Sequence, residues 1–449
     1  MQRRQWLKTM GGATLGLVLP AIASRVYALP AQADARFLLV FLRGGYDAAS
    51  VLVPAGSEFY YAARPNIAIR KPVAGAEADP SAAVALAPAF AADSAARGIG
   101  DWALHPALAG TMLPLWQRGQ LAFVPFAGTH DLSRSHFETQ DGIEAGLPGE
   151  GEDRKDMASL RGSGFLNRLA QAMGGQAAPV AFTDGLPVVL SGPRDVPNVS
   201  LKGNGRTPFD ARQSRLLAQM YHGTRFESLI DEGFELRETV ARQAQSTSPA
   251  TPATPSMPAM SGGDTGMMAS RQQEMQAANR RSLSARGFEL EARRMAGLMR
   301  ERFNLGFIDV GGWDTHVNQG GAQGQLASLL DNLGRGLSAF AEEMGPAWNK
   351  TTVVVLSEFG RTFRENGTRG TDHGHGTVYW VAGGAVRGGR IAGEQVAVEQ
   401  ATLNQNRDWP VRNEYRALLG GMFRRLYGLD DARLAQVFPG VRARDIGLA

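Results

Sequence analysis

Residues 36–45 read RFLLVFLRGG, an unbroken apolar run, Phe37 to Leu42, held between two arginines and opening into a glycine pair. Such a run lacks the alternation of a half-exposed strand, and it is too short for a buried helix. It reads as a parallel strand covered on both faces, with Gly44-Gly45 starting the loop that leaves it. Similar runs recur at Leu121–Phe126, Val180–Phe182, Val188–Leu190, Leu305–Val310, Thr352–Leu356 and Val378–Ala382, separated by helical patterns and glycine-rich turns. Strands alternating with helices predict an α/β fold built on βαβ units, its sheet mostly parallel and covered on both sides. The clearest helix follows residue 325, where Leu326, Leu329, Leu330, Leu333, Leu337, Phe340 and Met344 recur every three or four residues as a core-facing stripe.

Working outward, the chain has 449 residues, 43% hydrophobic and 20% charged, the composition of a globular protein with ample core. Cysteine is absent, which excludes disulfides, thiolate metal ligands, iron–sulfur clusters and a cysteine nucleophile. Any metal must therefore be held by oxygen and imidazole nitrogen. The formal charge of +4 is concentrated at the start, because residues 1–28 carry Arg3, Arg4, Lys8 and Arg25 and no acid. Without them basic and acidic residues are equal in number, and no basic, aromatic-studded patch follows, so nucleic acid is not an expected partner. The leader itself, RRQWLK followed by a mildly apolar stretch from Met10 to Ala23 and then small residues, has the form of a twin-arginine export signal, with cleavage after Ala28 or as late as Ala33. Its apolar stretch is short and broken by Gly and Pro, which argues against a permanent membrane span. The expected location is periplasmic or otherwise exported, with the twin-arginine machinery as a partner.

One further segment departs from the α/β pattern. Residues 243–270 are rich in Ser, Thr, Pro, Ala, Gly and Met and read as a flexible linker. Helix-like stretches flank it at about 210–242 and 272–303, so a helical insertion is expected over about 210–303, pairing as a hairpin within a domain spanning 36–449.

Polar side chains collect at the strand ends, where open α/β sheets build their sites. Asp47 follows the first strand and is either a helix cap or a ligand. In DVGGWDTH, Asp314 and His316 are two residues apart, so an extended backbone turns both to one side, as a cation site needs. Asp309 either adds an oxygen or binds in the turn. Glu358 and Arg361 leave the strand ending in Leu356, as functional groups or as a salt bridge. GTDHGHG places Asp372, His373 and His375 among glycines, a poor core segment and a good ligand loop, with Asp372 either binding metal or orienting His373. In THDLSRSHF, Thr129, Ser133 and Ser135 offer hydroxyls beside Arg134. Ser135 is also placed to cap the helix beginning HFETQ, with Glu138 as the capping-box acid.

These motifs together, FLRGGYDAASVLVP, RSHFETQD, DVGGWDTH, LSEFGRT, GTDHGHG, GGAVRGGRIAGE and RDWPVRNEYRALL, resemble the exported bacterial family "domain of unknown function 1501" over nearly the whole mature chain. That family is grouped with the alkaline phosphatase and sulfatase superfamily. The resemblance implies a three-layer α/β/α sandwich and metal-assisted hydrolysis or transfer of phosphate or sulfate esters. It implies that Asp47 is the aspartate after the first strand, that Asp314 and His316 serve one metal site, and that Glu358 with His373 or His375 completes the ligand set. Phe359 stands where the superfamily has histidine, and the missing cysteine excludes a formylglycine sulfatase.

The expected chemistry is that of one or two divalent cations, Zn, Mn, Mg or Ca, held by Asp47, Asp314, His316, Glu358, Asp372, His373 and His375. They would polarise an anionic ester while Ser135 attacks and Arg134 or Arg361 steadies the developing charge. A non-catalytic, exported metal-containing binding or assembly protein is the alternative. A redox enzyme is disfavoured, because no GxGxxG follows the first strand and no haem ligation pattern is present.

Overall fold

The computed structural model describes residues 34–73, 79–86, 102–149, 160, 162–201, 211–224, four single positions between 227 and 234, 283–284 and 287–449. The leader and the expected linker at 243–270 lie outside them. A central sheet is built from β1 (Arg36–Leu42), β2 (Leu121–Gly128), β3 (Pro179–Ala181), β4 (Leu305–Gly311), β5 (Thr351–Ser357), β6 (Thr377–Ala382) and β7 (Arg390–Ile391), in the spatial order β7-β2-β6-β5-β1-β4-β3. β1 runs parallel to both its neighbours, β4 and β5. β6 is antiparallel to β5 and β2, so it enters the site edge of the sheet from the opposite direction.

The helices include α1 (His136–Ala145), α2 (Phe165–Met173), α3 (Ala211–Tyr221), α4 (Phe288–Glu301), α5 (Gln325–Met344), α6 (Tyr415–Tyr427) and α7 (Asp431–Val437). Successive residues of a strand face opposite sides. Leu38, Val40 and Leu42 accordingly join one core with Met295, Leu330 and Leu333 of α4 and α5. Phe37, Leu39 and Phe41 join a second core with Leu169, Leu419 and Val437 of α2, α6 and α7. Phe37 to Leu42 are all fully buried, as the continuous apolar run requires, and truncating Phe41 to alanine would cost about 3–5 kcal/mol. The protein is thus a mixed α/β fold with a mostly parallel sheet and helices packed on both faces.

Three local expectations change. Val188–Leu190 is a 3-10 turn entered from Pro187, not a strand; a three-residue apolar run fits either state, and here it buries two side chains against α2. Leu283–Ser284, expected within a helix, pairs parallel with β4. α4 packs against α5, where Phe288 fills the space left by Gly336, whose added Cβ would lie 2.2 Å from that ring.

Register sets the site. Leu42 lies level with Val310 on one side and Ser357 on the other, so Arg43, Gly311 and Glu358 come level at the next step. Thr377 pairs with Ala127, which brings the loop ahead of β6 beside the loop leaving β2. Four loops therefore meet along one edge: those after β1, β2 and β4, and the one that joins β5 to β6.

Candidate functional site

At that edge three imidazoles surround one carboxylate. Asp314, 5% exposed, comes from the loop after β4 with His316, His136 opens α1 after β2, and His373 precedes β6. His316 Nε2 lies 2.9 Å and His373 Nε2 3.3 Å from Asp314 Oδ1, and His136 Nε2 lies 3.6 Å from Oδ2. The three Nε2 atoms also approach one another, His136 to His373 at 3.0 Å and His316 to His373 at 3.1 Å. Ligand atoms of His136, Asp314 and His373 all fall within 4.8 Å of each other.

Each ring is held from behind by an acceptor at Nδ1. His136 Nδ1 donates to Glu358 Oε1 (2.8 Å), His316 Nδ1 to Asp372 Oδ1 (3.2 Å) and His373 Nδ1 to the Arg134 carbonyl (3.1 Å). An acceptor at Nδ1 fixes the proton there and turns the Nε2 lone pair of a neutral ring inward. Phe359 packs against the rings of His136 and His373, with centroids 4.9 and 5.1 Å away, and forms an apolar wall beside them. Gly45 makes room for it. Its φ is +64° and an added Cβ would stand 2.5 Å from the Phe359 ring.

The electrostatics follow from burial and charge. Burial opposes ionisation of Asp314, but the Arg361 guanidinium and the imidazoles hold its carboxyl well below the usual range. Burial likewise disfavours the charged form of Glu358, and the hydrogen bond and charge of His136 reverse this, bringing it to about 2. His136 is desolvated too, yet the two carboxylates push it up to about 9, while burial lowers His373. Two buried carboxylates thus share His136, and without a bound cation a proton on that ring lies between them. Asp314 Oδ2 is buried and has no hydrogen-bond donor.

A family model described as "Protein of unknown function (DUF1501)" matches residues 34–438. The chain belongs to that family. No curated protein compared with this DUF1501 chain matches it. A solved chain titled "Crystal structure of Ps i-CgsB in complex with k-i-k-neocarrahexaose" aligns at 9% identity and a TM-score of 0.26, covering 89% of this chain and 73% of its own. At that score the likeness carries no argument.

The expected site residues divide. Asp314, His316 and His373 come together, with Asp372 at their edge orienting His316 rather than His373; Asn366 Nδ2 also donates to Asp372, at 3.1 Å. Asp47 is engaged elsewhere. Arg64 grips it with two bonds of 2.6 and 2.9 Å, and Ser50 and Gln319 complete its acceptor set, which identifies it as half of a buried ion pair. His375 is set among Arg134, His130 and Asp131, and desolvation there lowers it to about 4. Asp309 pairs with Arg43 at 2.7 Å.

Arg361 is buried and spreads its donors over Asp314 and the carbonyls of Gly44, Gly45, Trp313 and Thr371, a brace between loops. Arg134 is held by Asp408 at 2.7 Å. Ser135 is the N-cap of α1, accepting from Glu138 N. Ser133 accepts from Ser135 N and lies 3.3 Å from Thr139 Oγ1, and Thr129 accepts from Asp131 N.

His136 and Gln140 are absent from the sequence-based site. Both polar side chains sit one turn apart on α1 and both donate to Glu358. That i, i+4 polar pair just after the N-cap was the available signal. His105, away from this edge, is hydrogen-bonded at both nitrogens, to Gly321 O and from Ala107 N, and desolvation lowers it to about 4.

Proposed function

We propose that this protein is an exported, metal-dependent hydrolase or transferase acting on phosphate or sulfate esters, on an alkaline phosphatase-like α/β/α scaffold. The observation that carries the metal reading is the orphaned Asp314 Oδ2, a buried carboxylate oxygen with no donor beside three imidazole Nε2 atoms. The carboxylate's charge is met by Arg361 at Oδ1, and leaving the other buried oxygen without a donor is still costly; a cation is a partner that this donor set fits. His136, His373 and Asp314 would hold it. When bound, a divalent cation polarises an ester and lowers the pKa of a hydroxyl or water.

The chain's own residues supply the rest. Arg361 fixes Asp314 and the glycine loop, Glu358 and the Arg134 carbonyl hold two rings in orientation, and Phe359 excludes water behind them. Ser135, one residue before His136, is the nucleophile in this reading. Its oxygen, like those of Ser133 and Thr129, accepts a local backbone N–H, as a cap or turn residue does, and that observation favours a second reading, a non-catalytic exported metal-containing binding or assembly protein. Export rests on the leader, which lies outside the described residues; among the described residues no helix is long and apolar enough to cross a membrane.

The test combines metal analysis with a panel of phosphate and sulfate esters, using wild type, Asp314→Asn and Ser135→Ala. Hydrolysis lost in both variants, with metal lost only in the first, supports the hydrolase. Metal without turnover of any ester supports the binding protein.

A further inference from the structure

Three buried or nearly buried carboxylates reach the carboxyl edge of the sheet from β1, β4 and β5, and their remaining acceptor capacity differs. A carboxylate offers about four lone-pair sites. Asp47 uses its sites on two Arg64 nitrogens, Ser50 Oγ and Gln319 Nε2. Glu358, fully buried, accepts from Gly44 N, His136 Nδ1 and Gln140 Nε2 at Oε1, all at 2.8 Å, and Ser357 Oγ lies 2.8 Å from its Oε2 and 2.6 Å from Leu42 O, with one proton to share between them. Of the three, Asp314 is the one with an oxygen, Oδ2, that has no hydrogen-bond partner within reach.

We infer that this chain holds a single imidazole-seeking first-row cation of the Zn(II) class on His136 Nε2, His373 Nε2 and the Asp314 carboxylate, with Glu358 a positioning residue and Asp47 outside the site. The inference rests on the reading of the cluster as a metal centre. A guanidinium already neutralises Asp47, so the position of a second cation there is taken by Arg64.

The spacing supports a single small ion. Ligands at 2.0–2.1 Å from a tetrahedral Zn(II) stand about 3.3 Å apart. His136 Nε2 lies 3.0 Å from His373 Nε2 and 3.6 Å from Asp314 Oδ2, the oxygen without a donor, while the 3.3 Å contact of His373 is to Oδ1, which Arg361 already bonds; ligand atoms of the three residues all fall within 4.8 Å of one another. Two imidazoles with one carboxylate select Zn(II), Co(II) or a similar ion over Mg(II) and Ca(II), whose sites are built of oxygen. Glu358 then acts as the carboxylate behind a metal-binding histidine, and loss of such a partner weakens binding about 10–100-fold.

The experiment uses the full mature chain, stripped with chelator and titrated with Zn(II) and with Co(II) alone. Wild type should take up one equivalent, and the Co(II) protein should show the intense visible absorption of a tetrahedral site. Glu358→Gln should retain one equivalent and an unchanged band position with weaker affinity, whereas His136→Gln and Asp314→Asn should lose high-affinity uptake. Circular dichroism confirms that each variant is folded, and the wild-type stoichiometry and spectrum stand whether or not the variants fold. Two equivalents in wild type, or an altered band in folded Glu358→Gln, overturn this assignment and leave the metal reading standing. No uptake by wild type overturns the metal reading itself.

Discussion

Arg361→Ala separates a structural arginine from a catalytic one. Arg361 and Asp314 are 4% and 5% exposed, and their contact is a buried ion pair. Removing one partner of such a pair strands the other and costs about 3–5 kcal/mol. The lost bonds to four carbonyls do not add in full, because water can enter the vacated volume and the contacts share one side chain. A fall of about 3–5 kcal/mol in unfolding free energy is therefore expected for chelator-treated protein, read from urea titrations with an unchanged m-value. Zinc should lessen the deficit, since a cation supplies Asp314 with a new counter-charge. Arg361→Lys should recover only part of it, because an ammonium cannot span Asp314 and both glycine carbonyls. A change below about 0.5 kcal/mol, the range of ordinary surface substitutions, would refute the reasoning and return Arg361 to a role in charge stabilisation.

Other outcomes follow from the same geometry. Gly45→Ala, forced to a φ of +64° against the Phe359 ring, should lower stability by at least about 1 kcal/mol, checked by thermal unfolding. His136, raised to about 9 without metal, must release its proton when a cation binds, so zinc affinity should climb about tenfold per pH unit up to about pH 9 and then level, as isothermal titration would show. The same shift has a stability sign: the folded pKa lies above the unfolded value, so the metal-free fold gains from protonated His136 below about pH 6.5 and loses that gain as pH rises through 9. Arg64→Ala should destabilise by about 3–5 kcal/mol by stranding Asp47, yet leave zinc stoichiometry at one wherever the variant is folded.

Much of the sheet was legible because burial on both faces writes itself as continuous apolar runs. β1, β4 and β5 appear within a residue or so of the positions that RFLLVFLR, Leu305–Val310 and Thr352–Leu356 suggest. The reversed direction of β6 was not legible, since strand polarity is decided by the path of the chain between strands rather than by the side chains within them. The site was legible where glycine-flanked polar residues break the core pattern, at Asp314, His316 and His373. It was illegible where a polar group's role depends on a distant partner. Nothing near Asp47 in sequence announces Arg64 and Gln319, and nothing within SEFGRT shows that Gln140 and His136 consume the Glu358 carboxylate. His375 shows the limit of local sequence, because its imidazole is set among Arg134, His130 and Asp131 although it stands only two residues from His373.

The most direct measurement is the cation content of the purified mature protein, produced with ample Zn, Mn, Mg and Ca and compared with Asp314→Asn at matched folding. One equivalent of zinc or a similar imidazole-binding ion in wild type, and none in the variant, is the predicted result. A wild-type protein free of metal would contradict the account and leave the imidazole cluster a network held by protons alone.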